Sequence, residues 1–163
     1  MHTVGDVGHN IPQIYATVDN RQANHHASII EMDGKIFDQV ISILIDPQSN
    51  YSYVSPDLVD KCGLSKEFHV ESWLVQLATC TKKQVHHWVR ACAFDLNVMP
   101  TIAHLNVLPL GSYSMLLGID WLYLHRTKVD CYDKAIECLD DNGEQRVLEG
   151  KKKATSVRMV KYM

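Results

Sequence analysis

"LIDPQSNYSYVS", residues 44–55, carries an apolar run into a carboxylate and then into a proline, and the reading of Asp46 decides the fold. Asp followed by Pro suits the first two positions of a β-turn. Pro presets φ to about −65°, and the Asp side chain accepts a bond from the backbone two residues on. Ile43, Leu44 and Ile45 in front of Asp46 make a strand apolar enough to be buried, which brings its end near the core. The stretch thus admits two readings, a turn residue or a catalytic acid at a strand end.

The bulk of the chain narrows the classes. Its 163 residues, 46% hydrophobic, fit one domain with tails and exclude a mainly disordered chain. A formal net charge of −3 gives no overall basic field, so sequence-independent nucleic-acid binding is not expected of the domain. No apolar run reaches bilayer length, and "MHTVGDVGHN" lacks the basic and apolar regions of a signal peptide. No membrane association is expected, and the expected location is the cytoplasm or a particle assembled there. The five cysteines, Cys62, Cys80, Cys92, Cys131 and Cys138, contain no CxxC and are expected to be thiols. The adjacent pairs His25-His26 and His86-His87 point to opposite faces if on strands, so no metal site is expected.

Residues 1–24 lack a sustained period and read as a linker or docked arm, ahead of a domain over 25–150. "ASIIEMDGKIFDQVISILID" clusters β-branched residues around Asp33-Gly34, which predicts a hairpin turn there. In "SPDLVDKCGL", Ser55 is placed to cap a helix of about two turns, with Pro56 in its first turn and Gly63 at its end. Runs at 72–77 and 85–94 predict a protruding hairpin whose polar tip spans 78–84. "TIAHLNVLPL" alternates as a strand, and "SYSMLLGIDWLYLHR" reads as a strand breaking at Gly118 into a short helix capped by Asp120. Two closing strands are expected around Asp141-Asn142-Gly143. The tail, 151–163, carries five basic residues and no acid; a solvated run is the simpler reading, with a nucleic-acid contact as the other.

An apolar strand ending in Asp46, a hairpin, and a second apolar strand ending in Leu116-Leu117-Gly118 follow one another in a definite order. This order resembles the retropepsin-like aspartic proteases, particularly those of plant gypsy-type LTR retrotransposon polyproteins. The likeness is closest in "ILIDPQSNYSYVSPDLV" (43–59) and "MLLGIDWL" (115–122), supported by "VQLATCTKK" and "KVDCYDKAIEC". It implies a mainly β, closed-barrel acid-protease fold with one or two short helices and a homodimeric active site. It also implies a hydrolase for extended peptide or polyprotein substrates, with no cofactor. Asp46 takes the catalytic place in this likeness, supported by the loop residues Pro47, Gln48 and Ser49, and Ala78, Thr79, Cys80 and Thr81 form the flap tip.

The family follows its Asp with Ser or Thr, then Gly. Here Pro47 supplies neither a hydroxyl nor an N–H, and Gln48 brings a side chain where backbone closely approaches the substrate. Ser49 matches the small fourth residue, and its hydroxyl either orients Asp46 or bonds local backbone. Cys80 stands where flap tips usually carry Gly. Two functions follow: an aspartic endopeptidase, or a catalytically impaired dimerisation or peptide-binding module on the same fold.

Overall fold

A computed structural model describes residues 13–14, 28–77 and 80–152. Most of the expected arm, the expected flap residues Ala78 and Thr79, and the tail beyond 152 lie outside the described residues. Of the arm, Gln13–Ile14 (β1) is described.

The hairpin leading to Asp46 pairs Ile30–Ile36 (β2) with Gln39–Ile45 (β3), from Ile30 opposite Ile45 to Ile36 opposite Gln39. Its turn is at Phe37-Asp38, with φ of 47° and 67°, and not at Asp33-Gly34 as the dipeptide predicts. A turn at 33–34 would leave Ile41, Ile43 and Ile45 without partners. The observed register pairs all seven residues and turns Ile30, Met32 and Ile36 inward with those three. Gly34 serves a different purpose. It lies where β2 meets the neighbouring strand, and a Cβ there would stand 2.6 Å from the Asp95 carbonyl oxygen.

Tyr53–Val54 (β4) leads into α1, Pro56–Cys62. Ser55 caps that helix by accepting the Leu58 N–H, and Gly63 ends it at φ 62°. Glu67–Leu77 (β5) and Lys82–Leu96 (β6) form the long hairpin, followed by Met99–Val107 (β7). Both hairpin strands are longer than the runs in the sequence. Their alternation is broken by register shifts at 68–73 and 89–92, where Ala91 has φ 49°. Met115–Leu117 (β8) and the helix Ile119–Leu124 (α2) follow as expected. Lys128–Asp130 (β9) comes before the two closing strands expected around Asp141-Asn142-Gly143, which are Ala135–Leu139 (β10) and Gln145–Glu149 (β11), and adds a third strand to their sheet by pairing with β10.

Six strands close on themselves in the order β6-β2-β3-β8-β4-β7, with β7 returning to β6. The ring interior holds Ile30, Met32, Ile43, Ile45, Val54, Leu105, Met115 and Leu117, and Trp121 and Leu122 of α2 and Ile136, Cys138 and Leu148 of the small sheet pack onto it. Each fully buried aliphatic side chain contributes about 1.5–3 kcal/mol. The fold is the mainly β closed barrel with two short helices that the sequence implies. No helix among the described residues is long and apolar enough to cross a membrane.

Candidate active site

Asp46 stands at the end of a buried strand and also opens a turn. Its N–H donates to the Leu117 carbonyl at 3.0 Å, extending the parallel pairing of β3 with β8 by one residue. Pro47 then stops the strand, and the Asp46 carbonyl accepts the Ser49 N–H at 3.1 Å to close a four-residue turn. Asp46 Oδ1 accepts the Gln48 N–H at 3.0 Å, so the carboxylate is oriented by its own turn. The residue is fully buried.

Its neighbours divide. Pro47 is half-buried and Gln48 exposed, so Gln48 does not fill the interior. Ser49 is buried, and its hydroxyl donates to the Tyr51 carbonyl at 2.8 Å, the local-backbone alternative of the two.

Leu116, Leu117 and Gly118 are brought against this turn. The Ile119 N–H donates to Ser49 O at 2.7 Å and the Asp120 N–H to Asn50 O at 3.3 Å. Gly118 is required by this approach, because a Cβ would run into the Ser49 and Tyr51 carbonyl oxygens. Gly118, not Asp120, is the N-cap of α2. Asp120 is occupied elsewhere: Oδ1 accepts the Ser52 hydroxyl at 2.6 Å and Oδ2 the Ser52 N–H at 3.2 Å. Ser52 Oγ in turn accepts the Gly118 N–H at 3.0 Å. Ser52 and Asp120 thus lock the two loops together. Sequence reasoning missed this pair, whose 68-residue separation leaves no local pattern to read.

The long hairpin stands over the outer face of these strands. Val75, Leu77 and Val85 bury against Leu44, Tyr53, Leu108, Leu110 and Leu116, with Trp73 and Tyr113 at the margin. Leu44 and Leu116 each lie two residues before Asp46 and Gly118, so this second apolar cluster adjoins the carboxylate. At the described part of the tip, the Cys80 N–H donates to Leu77 O and the Leu77 N–H to Thr81 O, both at 2.8 Å. Cys80 is exposed with φ 69°, a left-handed conformation that favours glycine. On the free edge of β5, β1 pairs in parallel, Gln13 with Gln76 and Ile14 with Leu77.

Burial raises the Tyr53 phenol, with Asp120 and Tyr51 adding to the effect. Burial likewise pushes the Cys92 thiol up to about 11, away from nucleophilic use. No disulfide joins the five cysteines. No group of three or more metal-ligating side chains is gathered among the described residues.

A family model described as retroviral aspartyl protease matches residues 12–144. The retroviral protease-like domain of Ddi1 from Leishmania major is similar in structure. It is 12% identical with a TM-score of 0.55, over 78% of this chain and 97% of that one. A protein of unknown function from Legionella pneumophila aligns at 12% identity over 58% of this chain and 84% of its own, with a TM-score of 0.36. No curated protein matches the chain.

Proposed function

The chain belongs to the retroviral aspartyl protease family, and from that premise we propose that it is an aspartic endopeptidase acting as a homodimer on extended peptide, in a retrotransposon polyprotein. The observation that carries this is Asp46, buried at the end of β3 against β8 with its carboxylate oriented by the Gln48 N–H. The domain over 25–150, the flap role of 78–81, and the arm and tail as joints to neighbouring polyprotein regions belong to the same proposal.

The chemistry needs two carboxylates about 3 Å apart that share one proton, because both cannot ionise at that separation. One takes a proton from water as the water attacks the peptide carbonyl; the other donates to the carbonyl oxygen as it becomes an alcohol. No covalent intermediate forms. Gly118 occupies the end of β8, and Asp120 is committed to Ser52, so the second carboxylate comes from a second copy across a two-fold axis.

A second reading, the impaired dimerisation or peptide-binding module, is favoured by the loop itself. Pro47 has no donor, the Gln48 N–H is used on Asp46, and the Ser49 hydroxyl is used on Tyr51. One experiment separates the two. Under the first reading, purified chain cleaves a peptide panel at mildly acidic pH, a statine-type peptide suppresses cleavage, and Asp46→Asn lowers the rate by about 10²–10⁴. Normal cleavage by Asp46→Asn would end the mechanism. A silent chain that gains turnover on Pro47→Ser with Gln48→Gly would establish the second reading instead.

A further inference from the structure

Tyr53 is fully buried, yet its hydroxyl has no hydrogen-bond partner among the described residues. Buried phenols usually find one, and an orphan O–H costs free energy that a Phe of the same shape would not. The residue is held in place. Its backbone lies between Leu116 of β8 and Asn106 of β7, and the preceding Ser52 is locked to Asp120 and Gly118. The ring packs beside Trp73, with centroids 6.3 Å apart, in the cluster formed by hairpin residues Val75, Leu77 and Val85 over Leu44 and Leu116.

An extended peptide lying between the hairpin and Asp46 must part this cluster, because Leu44 and Leu116 flank the strand ends at the carboxylate. It then takes the place of the hairpin side chains over Tyr53. The pairing of β1 with Gln76 and Leu77 gives one extended segment already running along this hairpin.

We propose that the Tyr53 hydroxyl is a specificity contact, donating to a carbonyl oxygen of the bound peptide, and this rests on the peptide-cleft reading above. The carbonyl belongs either to the peptide backbone or to a Gln or Asn side chain. The O–H, orphaned among the described residues, is a donor held ready in the closed cleft for the ligand. Burial favours the protonated phenol, so the donor persists across the working pH range.

The contact predicts effects of opposite sign from one substitution. Full-length wild-type chain and Tyr53→Phe are compared by thermal unfolding and by calorimetric binding of a statine-containing peptide, which needs no turnover. Tyr53→Phe is expected to raise the unfolding midpoint while weakening the peptide about tenfold. Variants of the statine peptide carrying Gln or Met at each flanking position identify the source. A uniform loss assigns a backbone carbonyl, and a loss confined to one Gln-bearing peptide assigns a side-chain amide. Equal binding by both proteins, or stability falling together with affinity, would overturn the contact while leaving the cleft intact. Failure of wild-type chain to bind any of the peptides would remove the cleft reading and the contact with it.

Discussion

At the residue scale, Asp46 gathers the consequences of three neighbours. Pro47 ends the strand, Gln48 spends its N–H on the carboxylate, and Ser49 turns its hydroxyl to Tyr51. The acid is therefore positioned by its own turn. Cys80 is the other residue whose conformation decides something. A side chain at φ 69° costs about 1–2 kcal/mol, part of which glycine returns as unfolded-state entropy. Cys80→Gly is expected to stabilise the fold by about 0.5–1 kcal/mol, read from the midpoint of denaturant unfolding. A lower midpoint would mean that the thiol makes a packing contact that outweighs the strain.

At the element scale, local patterns were legible where one element satisfies itself. Ser55, Pro56 and Gly63 bound α1 in sequence as in structure, because capping uses only neighbours within a turn. Gly34 misleads because its role is to let β6 approach β2, a requirement set more than sixty residues away. The hairpin strands outrun the runs read in the sequence because the added residues 67–71 of β5 and 82–84 of β6 are mostly exposed, while 95–96 of β6 pair with β7 in the barrel. The Ser52 contact joining the Asp46 loop to α2 is also long-range. Ser52→Ala leaves the buried Gly118 N–H without its acceptor and removes the hydroxyl from the exposed Asp120 carboxylate, which costs about 1–2 kcal/mol. The check is chemical denaturation of Ser52→Ala beside wild type; an unchanged midpoint would show that the two loops hold without this bond.

At the scale of the whole molecule, ring closure through β6 and β7 makes the barrel complete within one chain, whereas the proposed chemistry is not. Under that proposal Asp46 is the one dyad carboxylate each copy supplies, so activity depends on assembly. Specific activity is accordingly expected to fall on dilution through the dimer dissociation constant, in step with the dimer fraction from sedimentation. Constant specific activity in a sample that sediments as monomer would exclude a shared dyad.

The sequence by itself determined the order of the pieces: an apolar strand into Asp46, a capped helix, a protruding hairpin, and Leu116-Leu117-Gly118 ahead of a short helix. These are legible because strand alternation, turn chemistry and caps act over a few residues. Only the tertiary structure decided where the β2–β3 turn falls, why Gly34 and Gly118 lack side chains, and that Ser52 and Asp120 lock the two loops. It alone left the Tyr53 hydroxyl buried without a partner among the described residues. Each of these is set by atoms brought close from distant parts of the chain, and such contacts leave no periodic trace in the residues between them.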